Sequence, residues 1–282
     1  MSNNKVVGEW EKSFIKNGGN PDYFAYDGLM FRGKLIEEKS SDGESRLRIS
    51  QDVKQENKLW NETPLRVLYV LKDQNAAGKE AWDVRGECYH KPDTAEEDYV
   101  PWRKYAFHRN ILSTIYGFFK TTPSSYIPYE EIDYSEALRI SDKEPYARVN
   151  CKKKAGSASI SDSILKWSID GYSKLLKAQI LNLDADIIVC CGYNDSTDKN
   201  MILDFVKDEV YPNLGGGYNN GVFFDKTNNK ITIDAYHLSS RHSGSDYYED
   251  VIVKSYFAFI KEHPEFIKSH RNNSLDIRQI KH

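Results

Sequence analysis

The sequence predicts an α/β chain built as three α/β/α layers around a central, mainly parallel sheet. Three observations lead there. Segments with strand and helix patterns alternate along the chain, as they do when helices cover both faces of a parallel sheet. Ile187-Ile188-Val189-Cys190-Cys191 is a continuous apolar run closed by Gly192, which implies burial on both faces and a central parallel strand. Between Ser161 and Asn182, Ile164, Leu165, Ile169, Tyr172, Leu175, Leu176 and Ile180 recur at helical spacing. Ser161 and Asp162 stand where they can cap that helix.

The other elements follow in order. An amphipathic helix is expected from Lys5 to Lys16, closed by Asn17-Gly18-Gly19. Asp22 to Gly28 reads as an aromatic loop, and Ser45 to Trp60 as a helix or an irregular segment. Leu65 to Leu71, set off by Pro64, is the first buried strand. Gly78 to Pro101 is long, charged and without period, a pattern common in functional or mobile loops. Helices are expected over Trp102 to Phe119 and Tyr129 to Arg139, then a short strand over Tyr146 to Cys151. After the central strand come a helix over Thr197 to Val210 and a connection at Gly215-Gly216-Gly217. A hairpin around Thr227-Asn228-Asn229 and a helix from Tyr248 to Glu262 complete the pattern. Residues 1–282 are expected to form one domain, with 1–60 as a helical N-terminal extension.

Composition narrows the function classes. Of 282 residues, 39% are hydrophobic and 29% charged, as in water-soluble globular proteins. No run reaches the about 18 apolar residues of a membrane span, and no signal-peptide pattern opens the chain, so a cytoplasmic location is expected. The net charge of −3 argues against a dedicated nucleic-acid binder, although Lys152-Lys153-Lys154 is a local basic cluster. Cys88, Cys151, Cys190 and Cys191 lack metal-site spacing and read as buried thiols. No metal and no cofactor is expected, since the glycine stretch fits neither the dinucleotide nor the Walker pattern.

In open α/β sheets ligands sit beyond the carboxyl ends of the strands, and polar residues fall at three of those ends. Lys72-Asp73-Gln74-Asn75 follows the first strand; Asp73 suits a general base or a stabiliser of positive charge, or else a helix cap. Asn150 follows the second and can read a nucleobase edge, with Lys152 and small residues beyond it for phosphates; the plainer reading is a turn and a solvated lysine run. His237-Leu238-Ser239-Ser240-Arg241 follows the hairpin. A neutral imidazole can donate to an oxygen that becomes anionic, and the serines can hold phosphates; the plainer reading is a polar loop.

Taken in order, Leu68 to Asn75, Arg148-Val149-Asn150-Cys151 with Ala155-Gly156-Ser157-Ala158, Ile187 to Gly192, and His237-Leu238-Ser239-Ser240 resemble the motifs of the uracil-DNA glycosylase superfamily. The likeness runs from Leu65 to Glu262. It implies excision of a base that has left the stack. By this resemblance Asp73 stabilises the sugar cation and orients water, His237 binds the anionic base, and Asn150 reads the base edge, with Asn75 in the base pocket and Trp82 or Tyr89 as the aromatic that stacks on the base. Leu238 would fill the gap in the duplex, and Lys152, Ser239, Ser240 and Arg241 would meet phosphates. Gln74-Asn75 stands where the best-known members carry a Pro-Tyr pair, and Leu238 where they carry Pro, so uracil itself is not implied. The alternatives are a nucleic-acid- or nucleotide-binding module of the same fold, and a small-molecule hydrolase using Asp73 and His237.

Overall fold

The computed structural model describes residues 3–30, 35–39, 45–49, 53–75, 81, 83–86, 105–156, 159–217 and 221–270. Its strands are β1 (Gly28–Leu29), β2 (Leu35–Lys39), β3 (Ser45–Ile49), β4 (Val67–Asn75), β5 (Tyr146–Gly156), β6 (Ile187–Tyr193), β7 (Val222–Asp225) and β8 (Lys230–Tyr236). The helices are α1 (Asn3–Lys16), α2 (Val53–Glu62), α3 (Ala106–Lys120), α4 (Tyr134–Lys143), α5 (Asp162–Leu183), α6 (Met201–Phe205) and α7 (Lys254–Glu262). Wide helical turns over Val206–Val210 and Asp246–Val253 extend α6 and lead into α7.

Six strands form one sheet in the order β1-β5-β4-β6-β8-β7. The four inner strands run parallel, and β1 and β7 close the edges in antiparallel sense. Alternation of side chains sends Val67, Tyr69 and Leu71 of β4 to one face, against Ile111, Ile115 and Phe118 of α3 and Phe259 of α7. Leu68 and Val70 face the other way, toward Trp10 of α1, Leu176 of α5 and Ile202 of α6. The three-layer α/β/α arrangement expected from the sequence is present, with β4 and β6 buried on both faces at its centre. Among the described residues no helix is long and apolar enough to cross a membrane.

Several boundaries differ from the sequence expectation. Strand β4 does not end at Leu71 but continues through Asp73 to Asn75, and β5 continues to Gly156. Partnering explains both extensions: Asp73 sits opposite Lys152 and Asn75 opposite Gly156, so an opposite-charge pair replaces apolar contact as the support of the ladder. The first 60 residues are more than a helical extension, because β1 joins the main sheet and β2 pairs with β3. Cys151, Cys190 and Cys191 are free, buried thiols as expected, and burial pushes the Cys151 and Cys191 thiols up to about 12. Cys88, Tyr89, Trp82 and most of the Gly78 to Pro101 segment lie outside the described residues.

Candidate active site

From β4 the chain steps to β5 on one side, then returns to β6 on the other. The direction therefore reverses between the carboxyl ends of β4 and β6, the place where open α/β sheets form a crevice. Continuing the alternation places Asp73, Asn150 and His237 on the α3 side of the sheet, all near the carboxyl ends. Neighbouring strands are about 4.8 Å apart, so β4 and β8, two steps apart, are separated by roughly 10 Å. That span suits two groups acting on opposite sides of one bound ring, and it excludes direct contact between their backbones.

Asn150 is only 3% exposed, and its environment was not visible in the sequence. Asp27, placed by sequence in an aromatic loop, is fully buried just before β1. One carboxylate oxygen of Asp27 accepts from the Asn150 backbone N–H at 2.8 Å and from Asn150 Nδ2 at 3.0 Å. The other accepts from Lys153 Nζ and, at 2.9 Å, from Gln179 Nε2 of α5. Lys153 lies 4.5 Å from the centre of the Trp10 ring. Burial pulls its ammonium below the ordinary lysine value, and Asp27 opposes that shift. Lys153 is therefore no part of a solvated lysine run. It is one half of a buried ion pair that fixes the orientation of the Asn150 carboxamide.

Asp73 is partly buried, and its carboxylate accepts from Lys152 Nζ at 3.0 Å. Lys152 also donates to the Lys154 carbonyl at 2.6 Å. A Cβ on Gly156 would lie 2.6 Å from Asp73 Oδ2 and 2.8 Å from Lys152 Nζ, so a larger residue here would have to displace the two charged ends from their present positions. The expected phosphate ligand Lys152 is thus first of all the partner of the expected acid.

His237 follows β8 directly. Its Nδ1 accepts the Ser239 backbone N–H at 3.2 Å, so the neutral ring carries its proton on Nε2. Burial, aided by the positive charge of Lys72, lowers its pKa to about 4. Phe107 of α3 packs beside the ring with centroids 6.2 Å apart. A neutral imidazole with Nε2–H as donor is what binding an anionic leaving group requires, without transferring a full proton to it.

The loop after His237 departs from expectation at one residue. Leu238 is completely buried in the α3-side core, and Asn110 Nδ2 donates to its carbonyl at 2.8 Å. It anchors the loop and is not presented to a duplex; apolarity alone cannot tell a wedge from a core residue. Ser239 and Arg241 are exposed, as phosphate ligands must be, and Asn75 is exposed at the end of β4. The Ser240 hydroxyl is buried without a hydrogen-bond partner among the described residues. Arg148 was missed as well: it is buried over the Phe107 ring and donates to the Val84 carbonyl at 2.8 Å. Its strand pattern reads as an ordinary polar position, and no sequence signal marks it. Among the described residues no three His, Cys, Asp or Glu side chains gather as a metal-ligand set.

No protein-family model matches the chain, and no curated protein matches it.

Two outcomes follow from this geometry. Asp27→Ala leaves the Lys153 ammonium buried and unpaired, so urea unfolding should show a loss of about 3–5 kcal/mol, and Lys153→Met in that background should recover part of it. A loss below about 1 kcal/mol contradicts the buried pair. The second concerns pH. Folded His237 binds its proton near pH 4 and the unfolded chain near 6.5, so the unfolded state holds more protons in that window. Stability should fall by up to about 2–3 kcal/mol as pH drops through it. An NMR titration of the His237 ring should give a midpoint near 4; an ordinary histidine midpoint contradicts the assignment.

Proposed function

We propose that this chain is a DNA glycosylase-like hydrolase that excises a damaged or modified base. The observation that carries the reading is the hydrogen bond from the Ser239 backbone N–H to His237 Nδ1, which leaves Nε2–H as the ring's donor at the carboxyl end of β8, two strands from Asp73 near the end of β4. In the reaction, water forms a bond to the anomeric carbon while the N-glycosidic bond breaks and its electron pair leaves with the base. Asp73 stabilises the cationic sugar and orients the water, and the water's proton passes to the solvent or to the departed base. His237 Nε2–H donates to the base as its negative charge develops. Asn150 uses one amide hydrogen on Asp27; by count this leaves its second hydrogen and its carbonyl oxygen for a base edge. An incoming phosphate would draw the Lys152 ammonium from Asp73 and free the acid, with Ser239 and Arg241 as further phosphate ligands. A cytoplasmic setting belongs to the same proposal, in keeping with the buried free thiols.

A second reading, binding of nucleic acid or a nucleotide without cleavage, is favoured by one observation: Lys152 already neutralises the Asp73 charge. Base release separates the two. The protein is incubated with oligonucleotides carrying uracil, hypoxanthine or alkylated bases, and free base is measured by mass spectrometry. Release by the wild type should fall roughly 100-fold or more in Asp73→Asn and in His237→Ala. Binding without release establishes the second reading, and release untouched by both substitutions removes these residues from the mechanism.

A further inference from the structure

A cleft of about 750 Å³ opens between the end of α1, the end of β5 and the first half of α5. Its volume is in the range of small-molecule and nucleotide sites. Lys152 and Gly156 form one lip, and Lys152 is paired with Asp73, so the cleft begins beside the candidate active site.

The opposite wall is the outer stripe of α5. Ile164, Trp167 and Gly171 follow one another at helical spacing on that stripe. Trp167 is 69% exposed and Ile164 49%, whereas Leu165, Ile169 and Leu176 on the inner stripe build the core. Among the described residues nothing buries the Trp167 ring. Tyr172, at a break in the α5 dihedrals, contributes to the lining and stacks on Trp10 at 5.7 Å. Lys154 lines the cleft and is exposed, with no carboxylate partner among the described residues. No Asp or Glu is among the described residues that line it, and Asp73 stands at its lip beside Lys152. An aromatic platform beside the exposed Lys154 ammonium matches the chemistry of single-stranded nucleic acid: every base has a face to stack, and every linkage carries an anion.

We propose that the cleft holds a DNA single strand running past the candidate site, with one unpaired base stacked on Trp167 and its phosphate held by Lys154. The proposal rests on the nucleic-acid reading above, but not on catalysis. The test is fluorescence anisotropy with a labelled oligothymidylate at several salt concentrations. Trp167→Ala should weaken binding about tenfold, while Trp167→Phe, which keeps a ring, should stay within about threefold. Lys154→Ala should reduce the salt slope by about 0.7. Thermal melts of the variants establish that folding is kept.

Trp167→Ala binding like the wild type overturns the proposal, as does a wild type that fails to bind the oligonucleotide. A wild type that is dimeric by sedimentation, with Trp167→Ala monomeric, also overturns it, because a second copy then covers the ring. The two proposals fail separately. Trp167-dependent binding without base release removes the catalytic reading alone, and base release with Trp167-independent binding removes the cleft alone.

Discussion

A single carboxylate organises one flank of this molecule. Asp27 has no exposure to solvent, and its two oxygens receive four hydrogen bonds, two from Asn150, one from Lys153 and one from Gln179. A buried carboxylate with fewer partners would cost several kcal/mol. The full set of donors makes the position tolerable and, in return, specific. β1 is held beside β5, α5 is tied to the sheet through Gln179, and α1 is drawn in because Trp10 lies over Lys153. The orientation of Asn150 is a consequence of this arrangement, not a free choice of the side chain.

The rest of the candidate site rests on similar compensation. Asp73 projects from the extended end of β4 because Lys152 meets it across the ladder and Gly156 leaves room for both. His237 stays neutral because the core around Phe107 and Leu238 shields it and Lys72 repels a second positive charge. These environments differ in kind: one acidic group is compensated by a cation, and one imidazole is kept neutral by burial. A carboxylate held beside a cation and an imidazole kept neutral by burial are the kind of pair that charge-stabilising chemistry uses.

How much of this the sequence disclosed follows from which interactions have a local signature. β6 was legible because burial on both faces leaves an unbroken apolar run, and α5 because its apolar residues recur with the helical period. The hairpin of β7 and β8 was legible from its turn residues. The far halves of β4 and β5 were not, because Asp73, Lys152 and Lys153 are polar, and only a partner distant in sequence makes them strand residues. Asp27 gave no signal for the same reason: its four donors come from residues 150, 153 and 179. Asp73, Asn150 and His237 could be found from the rule that ligands gather at strand ends. Their partners could not, and Leu238, apolar in a polar loop, was assigned to the surface when the core had claimed it.

The central claim is that Asp73 and His237 act on the same nucleotide from two sides of the crevice. The most direct measurement is a crystal structure of the protein with an oligonucleotide carrying a sugar-fluorinated, uncleavable analogue of the excised nucleotide. The expected result is an extruded base accepting a hydrogen bond from His237 Nε2, its sugar against Asp73, and the Lys152 ammonium moved from the carboxylate to a phosphate. A base lodged elsewhere, with the Asp73–Lys152 pair intact, would contradict it.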